Sequence, residues 1–373
     1  MPWSKSSSPG PDLDILAQGT VATRCLRATT TPEPASVFVI AVPTPFQDDH
    51  EPDLSHVKSA AEAITPVLER GNLVILESTS PVGTTAKLTE WLAAARPDLS
   101  FPGKSQKAPD ISIAYCPERV LPGRVLIELV DNDRIIGGVS PDCAKRAVDF
   151  YRIFLQGECH VTTAATAELA KLTENSYRDV NIAFANELSL ICDHLDINVW
   201  ELLKMANQHP RVDILRPGPG VGGHCIAIDP WFIVSSAPEQ ARLIRMARQV
   251  NDGKPDHVIS KVEAHASRFK APVIACLGLA YKPDIDDLRE SPALRIAEHL
   301  ADSEVGEVLI VEPHIGELPP SLEGKPNTIF TEAADAIERA DIVLLLVPHR
   351  AFQQLNRATL DQKILIDTQG MWA

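Results

Sequence analysis

No segment of the 373 residues is apolar over the about 18 positions that a membrane-spanning helix needs. The opening MPWSKSSSPGPD carries a lysine with no apolar stretch behind it, which argues against a secretory leader. Basic residues are few: 35 Lys and Arg against 50 Asp and Glu leave a formal charge of -15. That balance argues against general affinity for nucleic acid or an anionic membrane, while leaving room for a local basic pocket. No Cys-x-x-Cys and no His-Glu-x-x-His occurs among the seven cysteines and 11 histidines. Cys25, Cys116, Cys143, Cys159, Cys192, Cys225 and Cys276 are scattered and odd in number. This excludes a disulfide scaffold, points to no metal site, and fits a reduced cytoplasmic protein.

What is present is a chain that is 45% apolar and long enough for two or three domains. Residues 1–35 are rich in Ser, Pro and Thr and show little periodicity. The β-branched run at 37–42, ended by Pro43-Thr44-Pro45, reads as a buried strand. A helix capped by Asp53 and ending near Gly71 follows, then a strand at 73–77, a helix at 83–95, and strands at 111–115 and 134–136. This alternation predicts a parallel sheet covered by helices. Residues 164–195 hold almost no helix breaker and read as one long helix. Helices are expected at 199–207, 238–251 and 255–269, with strands at 273–277, 308–311, 342–347 and 364–366. The order is α/β, then α, then α/β.

Four segments carry chemistry. Gly222-Gly223-His224-Cys225 stands just ahead of Asp229. A cysteine leaving a glycine-rich loop can be exposed, with backbone N–H groups to lower its pKa or hold an oxyanion; an arbitrary cysteine is more often buried and inert. Lys171 and Asn175 share a helix face through their spacing of four. Such a pair is usually solvated, but its neighbours mix polar and apolar residues on several faces. Glu118 follows a strand, where open α/β sheets bind ligands, and can serve as a general base or as an ordinary loop carboxylate. Lys282 and Arg289 lie after another strand, placed for phosphate or sugar contacts or simply solvated.

The segments AVPTPF (41–46), ESTSPVGTT (77–85), AYCPERVLPG (114–123), KLTENSYRDVNIAFANELSLI (171–191), HPRV (209–212), PGPGVGGHCIAIDPWF (217–232) and LGLAYKPDIDDLRESP (277–292) together resemble the UDP-glucose/GDP-mannose dehydrogenase family over residues 33–372. The resemblance implies a Rossmann-like NAD-binding domain at 1–162, a central helical dimerisation domain at 163–255 and an α/β UDP-sugar-binding domain at 256–373. It implies a homodimer and NAD-dependent oxidation of a UDP-sugar at C6. The Cys-Pro-Glu-Arg-Val-Leu-Pro-Gly and Gly-His-Cys segments point to UDP-N-acetyl-D-mannosamine as that sugar, feeding surface polysaccharide synthesis. Carried over residue by residue, Cys225 is the nucleophile and Lys171 steadies the oxyanion or shuttles a proton. Asn175 and Asp229 hold water and the reacting oxygen, and Glu118 assists thioester hydrolysis. Pro43, Thr44, Thr79 and Arg289 fall to the cofactor. Arg119, Val120, Gly222 and Lys282 fall to the substrate, with His209 and Arg211 reaching the site of a partner subunit. The chemistry is consistent: an alcohol becomes an acid by losing four electrons, and a thiohemiacetal turns an aldehyde into a hydride donor.

One departure stands out. The family opens with a strand, a Gly-x-Gly-x-x-Gly turn and a helix, whereas the first glycines here are Gly10 and Gly19 in another context. Two strands and a helix are expected to be missing, with residues 26–29 as the third strand and 37–42 left as an unpaired edge. The chain as written is therefore expected to bind a UDP-sugar but NAD only weakly. Its alternatives are a non-catalytic homologue that binds a UDP-sugar or dimerises, or a dehydrogenase for another UDP-sugar.

Overall fold

The computed structural model describes residues 11–47, 50–103, 109–120, 124–223, 225–303 and 305–373. They form two compact units, Met1–Asn175 with Trp231–Ala241, and Ser176–Pro230 with Arg242–Ala373.

The first unit runs α1 (Pro11–Ala22), β1 (Val37–Ile40), α2 (Ser55–Ile64), β2 (Leu73–Leu76), α3 (Thr84–Ala95), β3 (Ser112–Tyr115), α4 (Val125–Asp131), β4 (Arg134–Gly138), α5 (Pro141–Tyr151) and β5 (Cys159–Thr163). Its five strands lie in the order β1-β2-β3-β4-β5. The four-residue run Leu73–Leu76 is buried throughout because both faces of the sheet are covered. Val74 and Leu76 pack with Leu88 and Ile113 on one side, and Leu73 and Ile75 with Ala147 and Tyr151 on the other. As expected, β1 is an edge, with Val39 44% exposed.

Helix α6 (Ala164–Leu195) spans the predicted 32 residues and begins in this unit. Its Glu168 is fully buried, accepting 2.6 and 2.7 Å bonds from the Gly83 and Thr85 amides and a 2.6 Å bond from the Thr85 hydroxyl. Burial pushes this carboxyl up, against those hydrogen bonds. Glu168 thus occupies the N-terminus of α3.

The second unit continues α6 and adds α7 (Val199–Ala206), the start of α8 (Asp229–Ser236), α9 (Arg242–Ala266), β6 (Val273–Leu277), α10 (Pro292–Asp302), β7 (Glu307–Val311), β8 (Thr328–Phe330), α11 (Ala333–Arg339), β9 (Ile342–Leu345), α12 (Arg357–Leu360) and β10 (Ile364–Asp367). Its sheet has the order β10-β9-β6-β7-β8 and is parallel throughout. Strand order reverses at β6, so the crevice at the C-terminal ends of β6 and β9 is the topological place for a ligand.

Several expectations need correction. The first sheet is not fully parallel: β4 runs antiparallel to β3, through the Ala114–Gly138 and Tyr115–Gly137 pairs. Residues 26–29 form no strand; Arg27 pairs with Glu33, and among the described residues β1 pairs with β2 alone. The serine- and proline-rich N-terminus contains α1, whose Ile15 and Leu16 remain exposed. Helix α2 stops at Ile64, before the Thr65–Val67 3-10 turn that holds Pro66. Asp53 is not its cap: Leu54 holds the N-cap position with no side-chain bond, and Asp53, one residue earlier, accepts from the Ser55 amide at 2.8 Å in a turn that precedes the helix. The two helices expected at 238–251 and 255–269 are one helix, α9, with Pro255 inside it. Pro255 is buried, and burial of that helix offsets the lost backbone bond. Strands β5 and β8 carry no clear pattern in the sequence: β5 (CHVTT) mixes polar residues on an edge and β8 has three residues.

Candidate active site

In the first unit the expected cofactor residues gather at strand ends. Pro43 and Thr44 leave β1, and Thr79 leaves β2. The Thr44 hydroxyl donates to the Thr79 carbonyl at 2.6 Å, while Ser78 accepts from the Val42 amide and donates to its carbonyl, each at 2.7 Å. These bonds tie both loops into one ledge across the C-terminal ends of adjacent parallel strands, which fits an elongated dinucleotide. The α3 N-terminus offers no phosphate cradle, since Glu168 occupies it.

Glu118 is half-buried and accepts from the Val120 amide at 2.5 Å, a turn that fixes its carboxylate beside the strand end. Arg119 is paired with Glu174 of α6 at 2.7 Å and donates to the Asp133 carbonyl at 3.3 Å. Lys171 and Asn175 are both half-buried, one helical turn apart on α6. Beneath this loop, Cys116 is fully buried and its thiol is pushed up to about 11 by desolvation, so it is no rival nucleophile.

In the second unit the glycine loop explains its own composition. A Cβ on Gly222 would come within 2.4 Å of the Glu290 carbonyl and 2.8 Å of Pro292 Cδ. Gly223 has φ +85° and lies against the Tyr281 ring. The loop therefore packs on residues 281–292, bringing together two motifs far apart in sequence. Cys225 emerges exposed, and its carbonyl accepts from the Ile228 and Asp229 amides at 3.2 and 2.9 Å. Asp229, at the start of α8, is 2% exposed. Burial pushes the Tyr281 phenol up, with the charges of Asp287 and Cys225 adding to it against Arg289.

A cavity of about 340 Å³ opens beside this loop, lined by Arg178, Arg216, Gly218, Gly220, Tyr281, Lys282, Pro292, Val347 and Gln369. Three cationic side chains and no carboxylate line it, although the chain as a whole is acidic. Lys282 reaches over the Tyr281 ring at 5.8 Å. Arg289 is exposed and held by Asp287 through bonds of 2.9 and 2.6 Å. His209 and Arg211 are exposed beyond α7, with the Arg211 amide donating to His209 Nδ1 at 3.3 Å. Residues 121–123 and His224 lie outside the described residues. Sequence reasoning missed Arg178 and Gln369. Arg178 had a signal, since it follows Lys171 and Asn175 at helical spacing; Gln369 had none.

The two α/β units, with an exposed cysteine on a glycine loop beside a cationic cavity, are those of a nucleotide-sugar oxidoreductase. Models of the UDP-glucose/GDP-mannose dehydrogenase family match the chain at residues 3–155 (NAD binding domain), 165–253 (central domain) and 275–373 (UDP binding domain). The chain belongs to this family, is an NAD-dependent nucleotide-sugar dehydrogenase, and matches its NAD-binding model from well before residue 33. It is 60% identical over 363 residues to an NDP-N-acetyl-D-galactosaminuronic acid dehydrogenase of Ralstonia nicotianae, covering 97% of this chain and 85% of the relative. It is 57% identical over 370 residues to a UDP-N-acetyl-D-mannosamine dehydrogenase of Yersinia pestis, covering 97% and 88%. The solved UDP-N-acetyl-mannosamine dehydrogenase of Staphylococcus aureus is 39% identical with a TM-score of 0.81, covering 98% of this chain and 84% of that one. No described helix is long and apolar enough to cross a membrane.

Proposed function

We propose that the chain oxidises UDP-N-acetyl-D-mannosamine at C6 to UDP-N-acetyl-D-mannosaminuronate, through a thioester on Cys225, for surface polysaccharide synthesis. The observation that carries this reading is the cationic cavity beside an exposed cysteine on a glycine loop. NAD, when bound, takes up the hydride in each of the two oxidations. Pro43, Thr44 and Thr79 would hold it, with Arg289 assigned to its pyrophosphate.

The substrate alcohol first loses a hydride and a proton to become an aldehyde. The Cys225 thiolate adds to the carbonyl carbon, and the resulting thiohemiacetal alkoxide expels hydride to leave a thioester. Lys171 offsets the charge of the developing oxyanion, or takes the hydroxyl proton as that charge forms. Asn175 and Asp229 hold water and the reacting oxygen, and Glu118 removes a proton from the water that cleaves the thioester. The carboxylate leaves and the thiol is restored. Arg119, Val120, Gly222 and Lys282 hold the nucleotide sugar, and His209 and Arg211 serve the site of a partner subunit.

We assign residues 1–162 to NAD, 163–255 to dimerisation and 256–373 to the UDP-sugar, in a cytoplasmic homodimer. The scattered, odd-numbered cysteines fit that compartment. A stripe of Tyr177, Phe184, Ile191 and Leu195, 73%, 52%, 47% and 57% exposed, fits a helix seam between two copies. The galactosamine epimer is the second reading, favoured by the Ralstonia relative. Incubating the purified protein with NAD and each UDP-N-acetylhexosamine tests both. The expected result is two NADH per uronate from the manno epimer. NADH from the galacto epimer alone would transfer the assignment to it, and NADH from neither would overturn both.

A further inference from the structure

A buried carboxylate and a buried imidazole, neither in the mechanism above, meet under the loop that lines the cationic cavity. Glu312 leaves β7 and His349 follows β9, the two strands flanking β6. Both side chains are fully buried, with His349 Nε2 and Glu312 Oε2 3.0 Å apart. The same Oε2 accepts from the Leu279 and Ala280 amides at 2.7 and 3.1 Å, and Oε1 accepts from the His314 amide at 3.1 Å. His349 Nδ1 accepts from the Asp284 amide at 2.9 Å. That bond leaves Nδ1 without a proton, so Nε2 carries it and donates to Glu312.

Asp284, His314 and His349 stand close enough to suggest a cation site. Both ring nitrogens of His349 are already committed, and Asp284 is paired with Arg350 at 2.7 Å. The cluster is a strut instead. It grips the loop at its start, through Leu279 and Ala280, and at its end, through Asp284. Between these anchors lie Tyr281 and Lys282, which line the cavity, and Tyr281 is the surface on which Gly223 rests.

We propose that Glu312 and His349 are positioning residues for the nucleotide sugar, holding the 279–284 loop in its binding form before ligand arrives. The proposal rests on the reading of the cavity as the UDP-sugar site. Preorganisation of this kind lowers the ordering cost of binding, so its loss falls on affinity and not on the chemical step.

The ring can be dissected. His349→Gln keeps a donor toward Glu312 and gives up the Asp284 amide, and His349→Asn does the reverse. Each is expected to raise KM for the nucleotide sugar and Kd for UDP about tenfold, with kcat and KM for NAD moving less than about threefold. Equal losses in kcat and both KM values, or a lower active fraction with unchanged KM, would mark a merely structural role and overturn the proposal. Hydrogen exchange of the 279–284 segment in the wild-type protein without ligand does not depend on any variant folding. Strong protection is expected. Free exchange that becomes slow only with UDP would show that ligand, not the strut, orders the loop. Wild-type protein that fails to bind UDP in calorimetry while the segment stays protected would count against the cavity assignment alone.

Discussion

The Asn186 side-chain oxygen accepts a 2.9 Å hydrogen bond from the Gly218 amide, tying the buried face of α6 to the loop that ends in Cys225. Asn186 also donates to Asn251 at 2.9 Å, and Asn251 donates to the Asp179 carboxylate at 2.8 Å. Asp179 is in turn paired with Arg248 at 2.6 Å, and all four side chains are buried. Asn186→Asp places an acceptor against the Asn251 oxygen and adds a buried charge. It is expected to cost about 1–3 kcal/mol, read as a lower urea midpoint with an unchanged slope. An unchanged midpoint would mean that the network does not hold the loop.

Cys225→Ala is expected to abolish uronate formation, because it removes the thiol that forms the thioester; Cys116 and Cys276 are no substitutes, being buried, with thiols pushed up to about 11 and about 12 by desolvation. Cys225→Ser is expected to slow hydrolysis enough to trap an acyl adduct, visible as a mass increase. Full steady-state turnover by the alanine variant would remove the covalent step from the mechanism.

The exposed α6 stripe predicts the assembly state. Tyr177, Val180, Phe184, Leu188, Ile191 and Leu195 recur at intervals of three and four, the pattern of a helix seam. Light scattering at micromolar concentration should give a dimer for the wild-type protein and a monomer for Phe184→Glu. A monodisperse wild-type monomer would refute the seam.

Lys254 supplies a pH signature. The residue is 5% exposed, and its ammonium donates to Ser189 at 2.5 Å and is pushed down to about 8 by burial from an ordinary 10.5. Between these values the unfolded chain binds the proton and the folded chain releases it, so folding stability rises with pH across that window. The wild-type protein is therefore expected to gain about 3 kcal/mol over Lys254→Met between pH 8 and pH 10.5. Parallel stability curves for the two would place the ammonium in a better-solvated setting.

Local pattern determined much of this protein. β-Branched runs closed by proline or glycine marked β1, β2, β6 and β9, and the absence of breakers marked α6 to the residue. The motifs singled out Cys225, Lys171, Asn175 and Lys282 as site candidates, because their spacing along a loop or helix is visible in the chain. Other features had no local trace. The antiparallel β4, the continuous helix through Pro255 and the buried lock of Glu168 on α3 depend on which surfaces cover one another. The grip of Glu312 and His349 on Asp284 and its neighbours is of the same kind. These three parts of the chain meet because β7 and β9 flank β6. Strand order is a property of the packed sheet, settled by tertiary burial and hydrogen bonding, and no periodicity along the chain encodes it.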